Sequence, residues 1–193
     1  HVRSRRQRQM CIRDRRMTED VDLVVPEVNQ PHFTRGIIAN PNCSTIQSVV
    51  PLRLLQERFG LERVAYTTYQ AVSGSGVKGK RDLTEGANGK APEAYPHPIY
   101  NNVLPHIDVF LEDGYTKEEQ KMIDETRKIL NDDTLKVTAT CVRVPVQDSH
   151  SVHMSVTLKD TASVESIQQL FDEDDRVVPV SYTHLTLPTT PYV

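Results

Sequence analysis

The sequence predicts an α+β fold, in which helices and strands alternate along the chain. Two stretches, 44–59 and 116–132, repeat apolar residues at helical spacing. Two others, 136–144 and 151–158, alternate apolar and polar residues as half-buried strands do. With 37% hydrophobic residues and no apolar run long enough to cross a bilayer, the 193-residue chain is expected to form a core and to make no use of a membrane.

The N-terminal elements precede the first helix. We interpret "DLVVPEVN" (22–29) and "RGIIAN" (35–40) as the last edge elements of an α/β unit, with "GII" as a short buried strand. The helix that follows is predicted from Ser44 to about Phe59 and is closed by Gly60 as a C-cap. Pro51 leaves two alternatives, a break near Val50 or a kink tolerated on a solvent-facing side.

The middle of the chain is predicted to be rich in turns. A β-branched and aromatic strand starts at Arg63 and ends in the glycine-rich turn "SGSGVKG" (73–79). Loops are expected from about Gly86 to Pro105, and "IDVFLEDG" (107–114) is predicted as a strand.

The C-terminal third carries the clearest signals. Thr116 as N-cap and Glu119 three residues later form a capping box for the second long helix. Strands follow at 136–144 and 151–158, a last helix is expected near Ser163, and "RVVPV" (176–180) is predicted to begin a strand. One face of the second strand is predicted to be apolar, made by Val152, Met154, Val156 and Leu158.

The two ends differ from the middle. Residues 1–16 hold seven arginines and one acid, and the remaining residues hold 16 basic and 25 acidic side chains, a balance of −9. A basic arm for nucleic acid and a solvated tail are both compatible with this composition. We favour a third interpretation, that residues 1–16 and 180–193 resemble translated adaptor or vector sequence, and we expect no nucleic-acid partner. The native part is then expected to begin near Met17 and to end near Pro179.

The three cysteines, Cys11, Cys43 and Cys141, indicate a reducing, cytoplasmic compartment and neither a disulfide framework nor a zinc site. Cys43 lies at a strand-to-helix turn in "ANPNCSTIQ". Partial positive charge and free N–H groups at a helix N-terminus lower a thiol's pKa, so a thiolate nucleophile is one interpretation. Plain packing is the other.

Three further sites carry candidate chemistry, and each also has a purely structural interpretation. Gln70 either orients a substrate or satisfies loop backbone. Arg143 either binds a carboxylate or is an arginine at a strand edge. His150 either acts as a general base or is a histidine in a turn. Glu118 and Lys121, three residues apart on a helix, either bind an ammonium and a phosphate or form an exposed pair.

Taken together, "ANPNCSTIQ", "TYQAVSGSGVKG", the "EEQK" and "ETRKIL" helix and "CVRVPVQDSHS" resemble aspartate-semialdehyde dehydrogenase in order and spacing. The resemblance covers nearly all of residues 17–179. It implies a catalytic and dimerisation domain of the glyceraldehyde-3-phosphate-dehydrogenase-like type, with a mixed sheet and helices on one face, over residues 43–179. Residues 17–42 would be a remnant of the α/β nucleotide-binding domain.

The resemblance also implies a reaction, the NADPH-dependent reductive dephosphorylation of aspartyl phosphate to aspartate semialdehyde in lysine, methionine and threonine synthesis. Cys43 would attack the acyl phosphate to give a thioester, and His150 would be the general acid/base. A homodimer or homotetramer is implied as well.

Other site residues follow from the same resemblance. Arg143 would hold the substrate carboxylate, Glu118 its ammonium and Lys121 its phosphate, while Gln70 orients the substrate. Asn42 and the helix N–H groups are candidates to stabilise the oxyanion.

Ser73 and Gly74 match positions that approach the NADP cofactor. No glycine-rich phosphate fingerprint precedes Cys43. We therefore expect a central fragment that exposes apolar surface and is inactive alone.

Three alternatives remain open at this stage. N-acetyl-γ-glutamyl-phosphate reductase shares the chemistry, although the arginine-to-histidine spacing and the "EEQK" helix fit the aspartyl enzyme better. A non-catalytic dimerisation remnant would have a thiol of ordinary reactivity. A cysteine hydrolase built on Cys43 and His150 is the weakest, since the resemblance already accounts for both residues.

Overall fold

A computed structural model describes residues 16–18, 21–31 and 38–180. Within that part no helix is both long and apolar enough to cross a bilayer. The helices and strands, in chain order, are β1 (Asp22–Leu23), β2 (Ile38–Ala39), α1 (Cys43–Phe59), β3 (Leu61–Gln70), α2 (Gly76–Gly86), α3 (Lys117–Leu130), β4 (Lys136–Arg143), β5 (Ser151–Leu158) and α4 (Val164–Asp172). A 3₁₀ turn, Val72–Ser75, precedes α2. The α+β class is confirmed.

β3 is the central strand of a three-stranded mixed sheet with the order β4-β3-β5. It runs parallel to β4, with Gln70 opposite Arg143, and antiparallel to β5, with Tyr69 opposite Ser151. One end of the sheet therefore brings together the end of β3, the end of β4 and the start of β5. β1 and β2 form a separate parallel pair.

Helices α1, α3 and α4 pack against one face of this sheet, as expected. Residues of α1 and α3 pack with inward-facing residues of all three strands into one core, and the predicted apolar face of β5 is part of it. The opposite face is polar along β5, where Ser151, His153, Ser155 and Thr157 are exposed. This alternation is the period of two that a sheet with one covered face requires.

Helix α1 begins at Cys43, one residue earlier than predicted, because Asn42 is its N-cap. It continues unbroken through Pro51, so of the two alternatives considered for this proline the break near Val50 is wrong. Pro51 is half-buried, so it does not lie on a fully exposed side either. Gly60 ends the helix with φ 67°, a conformation that favours glycine, and its N–H donates to the carbonyl of Gln56.

Helix α3 has the predicted capping box. The N–H of Glu119 donates to Thr116 Oγ1 at 3.3 Å, and the N–H of Thr116 donates to Glu119 Oε2 at 2.8 Å. The second carboxylate oxygen of Glu119 accepts the N–H of Cys141 at 3.0 Å. Because Cys141 lies on the edge strand β4, this contact ties the start of α3 to the sheet.

Four predicted elements differ from the structure. The glycine-rich turn is a 3₁₀ turn followed by α2, since Gly79 packs where a Cβ would meet Val72 O at 2.6 Å. "IDVFLEDG" is not a strand, because Asp108 has a φ of 68° and Phe110 is 59% exposed. "RVVPV" pairs with no strand in the part of the chain that the structure describes.

The fourth difference concerns "GII". Of its residues Ile38 alone is described; it belongs to a two-residue strand and is 40% exposed, so the buried strand predicted there is not found at this residue. The predictions made for residues 1–15 and 181–193 lie outside the described residues.

Candidate active site

Three of the predicted site residues lie at the end of the sheet where the three strands meet. Gln70 ends β3, Arg143 ends β4, and His150 immediately precedes β5. Gln70 and Arg143 are buried and His150 is half-buried. The mixed sheet thus brings together side chains that are 80 positions apart in the sequence.

Helices α1 and α3 supply the other wall of the site. Cys43 opens α1, and Glu118 and Lys121 lie in the first turns of α3. An open cleft of about 1150 Å³ separates these elements. The predicted site residues that line it are Asn42, Cys43, Gln70, Gly74, Glu118, Lys121 and Arg143.

The thiol of Cys43 and the ring of His150 are in hydrogen-bonding contact, with Nε2 and Sγ 3.2 Å apart. The other ring nitrogen, Nδ1, accepts the peptide N–H of Ala71 at 3.0 Å. A peptide nitrogen can only donate, so Nδ1 has no proton and the neutral ring is protonated at Nε2. In this tautomer His150 can donate a proton toward Cys43 but cannot accept one there.

The environment of His150 favours the neutral ring. Burial lowers the pKa of His150, and the positive charge of Arg143 lowers it further, whereas Glu118 acts in the opposite direction. Protonation would also place a second donor against the N–H of Ala71. A neutral imidazole with a fixed tautomer is the result.

The pKa expected for Cys43 is wrong in direction. Cys43 is exposed as a residue, but partial desolvation of its thiol raises the pKa of that group, and the negative Glu118 raises it further, while the peptide N–H groups of Ser44 and Cys43 lower it. The helix N-terminus acts as predicted, but burial and the carboxylate outweigh it. In this state the protonated thiol is favoured.

The side chain of Asn42 makes more hydrogen bonds than the sequence indicated. Its Oδ1 accepts the N–H groups of Ser44 and Thr45 at 2.8 and 3.4 Å, and its Nδ2 donates to Glu118 Oε1 at 2.6 Å. Two of the helix N–H groups predicted to face an oxyanion are therefore occupied by the N-cap. Asn42 and these N–H groups hold the helix mouth in this arrangement.

Glu118 is the centre of a polar network on the cleft wall. Its Oε1 accepts both Asn42 Nδ2 and Gln70 Nε2, the latter at 3.2 Å. Lys121 Nζ lies 3.4 Å from Oε2 and donates to Asp108 at 2.7 Å. Burial alone lowers the pKa of Lys121, but its contacts with Asp108 and Glu118 raise it overall. The exposed surface pair considered above is therefore wrong for Glu118, which is buried.

Arg143 retains an unused donor. Its Nη1 donates to the carbonyl of Ala71 at 2.7 Å, and its guanidinium lies 5.9 Å from the ring centre of Tyr95. Its Nε is buried and has no hydrogen-bond partner among the described residues. A buried, unpaired guanidinium N–H beside a cleft is suited to binding a carboxylate.

Of the two residues expected to approach the cofactor, Gly74 lines the cleft and Ser73 does not. A Cβ on Gly74 would lie 3.0 Å from Arg143 Nη1 and 3.5 Å from His150 Nε2, so this glycine allows the backbone to approach both side chains closely. Ser73 donates its N–H to the carbonyl of Gln147 and does not line the cleft described above.

The sequence did not reveal the parts played by Ala71, Asp108 and Glu125. Ala71 contacts His150 and Arg143 through its backbone, which leaves no signal in the sequence. Asp108 was hidden by the strand wrongly predicted there. Glu125 had a signal, because it follows Glu118 by seven residues and so lies on the same, otherwise apolar, face of α3.

Comparisons with known proteins agree on one family. The family described as "Semialdehyde dehydrogenase, dimerisation domain" matches residues 52–192. Aspartate-semialdehyde dehydrogenase of Aquifex aeolicus (strain VF5) is 48% identical over 176 residues, which are 86% of this chain and 52% of that protein. The chain thus spans about half the length of the curated relatives it matches.

Solved structures give the same result. Aspartate semialdehyde dehydrogenase II complexed with ASA from Vibrio cholerae superposes with a TM-score of 0.79 at 41% identity, over 83% of this chain and 51% of that one. Aspartate semialdehyde dehydrogenase with NADP from Candida albicans gives a TM-score of 0.63 at 31% identity, over 83% and 47%.

Proposed function

Because the chain belongs to the semialdehyde dehydrogenase family and carries its dimerisation domain, we propose that it is the catalytic part of an aspartate-semialdehyde dehydrogenase. The reaction is the NADPH-dependent conversion of L-4-aspartyl phosphate to L-aspartate 4-semialdehyde and phosphate, in lysine, methionine and threonine synthesis. The names of the relatives and the complex of the Vibrio protein with ASA support this substrate. The contact between Cys43 Sγ and His150 Nε2 is the observation that carries the proposal.

Substrate binding in this proposal uses the groups that face the cleft. The unpaired Nε of Arg143 takes the α-carboxylate. Glu118 takes the α-ammonium, since a buried carboxylate is most favourable beside a positive charge. Lys121 takes the phosphate, for which it must leave Asp108, and Gln70 holds the amino-acid end against Glu118.

The chemical steps then involve Cys43 and His150. Sγ attacks the acyl carbon, the bond from that carbon to the phosphate oxygen breaks, and the thiol proton leaves with the phosphate, so that a thioester on Cys43 and hydrogen phosphate are formed. Hydride addition to the thioester carbon gives a thiohemiacetal, and Nε2 of His150 is the proton donor nearest to it. Cleavage of the bond between carbon and Sγ leaves the bonding electron pair on sulfur, returns the hydroxyl proton to Nε2 and releases the aldehyde.

NADP, when bound, supplies or accepts the hydride of this reaction. Gly74 is suited to its nicotinamide end, because the absence of a Cβ leaves space beside His150 and Arg143. Ser73 is the adjoining backbone position. The Candida relative bound to NADP supports this choice of cofactor. We also propose a homodimer or homotetramer, on the strength of the family's description as a dimerisation domain.

The alternative acetylated substrate fits the site less well. In N-acetyl-γ-glutamyl phosphate the amine is acylated and has no charge. Glu118 would then lie buried against a neutral amide, and its negative charge would lose the partner that offsets desolvation. Comparing turnover of the two semialdehydes decides between the substrates.

The test is NADPH formation from aspartate semialdehyde and phosphate. Because the chain spans half of its relatives, the assay compares the chain alone with the chain joined to the remaining segments of a relative. Cys43→Ala should abolish turnover in the active form, whereas Cys141→Ala, in the core, should retain it. A joined chain that folds and is silent would overturn the proposal and favour a non-catalytic dimerisation remnant.

A further inference from the structure

Glu125 is a buried carboxylate that contacts Asn42, the residue directly before the nucleophile in the sequence. It is 1% exposed, on the cleft-facing side of α3. Its Oε2 accepts the peptide N–H of Asn42 at 2.6 Å, and its Oε1 lies 3.3 Å from Arg16 Nη1. Burial raises the pKa of Glu125, against the opposing effects of the Asn42 N–H and Arg16.

Two carboxylates of α3 hold the same residue in two ways. Glu118 binds the side-chain amide of Asn42, and Glu125, two turns further along, binds its peptide nitrogen. Asn42 has extended backbone angles, φ −60° and ψ 143°, so its N–H lies outside the hydrogen bonding of α1. Glu125 is the acceptor that satisfies it in the interior.

This arrangement determines where Cys43 lies. Asn42 directly precedes Cys43, and its Oδ1 caps α1 only while its side chain keeps the orientation that directs Nδ2 at Glu118. A shift of the Asn42 peptide would move the first turn of α1, and with it Sγ, away from His150 Nε2.

We propose that Glu125 is a positioning residue for Cys43, and that the place of its acceptor oxygen, rather than its charge, is what holds the thiol in line with His150. The inference rests on the proposed function in assigning the nucleophile to Cys43. It extends that function by a residue that acts on Cys43 through Asn42.

A crossed pair of variants separates acceptor position from charge. Glu125→Gln keeps an acceptor oxygen at the same reach and removes the charge. Glu125→Asp keeps the charge and withdraws the oxygens by one methylene. Ile129→Val, one turn further along the same buried face, is the control for a general loss of stability.

The measurement is the rate of Cys43 alkylation by iodoacetamide between pH 6 and 10, followed by the mass of the peptide that contains Cys43. It needs no turnover, so it is independent of the test of the proposed function. Glu125→Asp should lower the rate at pH 8 at least threefold and move the midpoint of the pH profile upward, because the thiolate loses the donor on His150. Glu125→Gln and Ile129→Val should follow the wild-type profile.

Three results would overturn the inference. Equal profiles for all variants would show that Glu125 does not position the thiol. A change in Glu125→Gln without one in Glu125→Asp would assign the effect to charge. Equal changes in both would show that acceptor position is not the deciding property. If Glu125→Asp does not fold, Glu125→Met removes the acceptor at similar length and is judged by the same criteria.

Discussion

The peptide N–H of Ala71 donates to Nδ1 of His150 at 3.0 Å, and so the proton of the neutral ring lies on Nε2, facing Cys43. A backbone group thereby decides which chemistry the side chain can perform. Ala71 also accepts from Arg143 through its carbonyl, so one residue fixes both side chains. The site is oriented by the backbone between β3 and the 3₁₀ turn as much as by other side chains.

The first prediction concerns this tautomer. Nitrogen-15 NMR at neutral pH should show His150 with an unprotonated Nδ1 and a protonated Nε2. Arg143→Gln should raise the pKa of His150 toward its ordinary value of 6.5, because it removes a positive charge that acts together with burial to lower it. A protonated Nδ1 would contradict the structure.

The lowered pKa of His150 also makes the free energy of unfolding depend on pH. Between the folded pKa and the unfolded value of 6.5, the unfolded chain binds more protons at His150 than the folded chain does. The contribution of His150 to stability is thus retained above pH 6.5 and lost as the pH falls through this window. Urea unfolding at pH 7.5 and 5.5 should show a smaller loss for His150→Gln than for the wild type.

The second prediction concerns the thiol. Glu118→Gln should lower the pKa of Cys43, because it removes the carboxylate that acts after burial to raise it. A thiol whose pKa falls by one has about ten times more thiolate at pH 7, so alkylation at pH 7 should become several-fold faster. Asp124→Asn, on the same helix and the same cleft, is the matched control and should have little effect.

The third prediction concerns Gly74. Gly74→Ala places a Cβ 3.0 Å from Arg143 Nη1 and should displace the guanidinium from the carbonyl of Ala71. In the active joined chain, KM for aspartate semialdehyde should rise about tenfold, while the thermal midpoint changes little. Ser75→Ala, which adds no atoms and removes no cap bond, should match the wild type. An unchanged KM would show that Arg143 can move aside.

The fourth prediction concerns the start of α3. Thr116→Ala removes the N-cap and should cost about 1 kcal/mol of unfolding free energy. Glu119→Ala should cost about 2 kcal/mol, since it leaves the N–H groups of both Thr116 and Cys141 without their acceptor. Urea denaturation measures both. If Glu119→Ala were the milder change, its contact with β4 would carry no net stabilisation.

Local signals were sufficient for most of the regular elements. The capping box of α3, the Gly60 end of α1 and the alternation along β5 each depend on neighbouring residues, and each is confirmed. Predictions failed where tertiary contacts override local preference. Gly79 is in a helix because its lack of a side chain allows close packing, and Asp108 adopts a positive φ within a stretch that has a strand-like composition.

The sequence was sufficient to predict which residues form the candidate site but not in which direction their pKa values shift. The resemblance supplied Cys43, His150 and the residues around them, and the fold brings most of them to one cleft. The direction of the Cys43 pKa was not predictable, because it depends on burial and on Glu118, 75 positions away in the sequence. The contact of Glu125 with Asn42 was hidden for the same reason.

The distance in sequence between Cys43 and His150, 107 positions, also has a consequence for biosynthesis. A ribosome adds about 5–20 residues per second, so the cysteine is made roughly ten seconds before the histidine. During this time β5, one of the two neighbours of β3, has not been made, and the thiol is without the imidazole that faces it in the finished fold. The nascent chain therefore carries Cys43 without its histidine partner until β5 has left the exit tunnel, and the paired site can form only after that point.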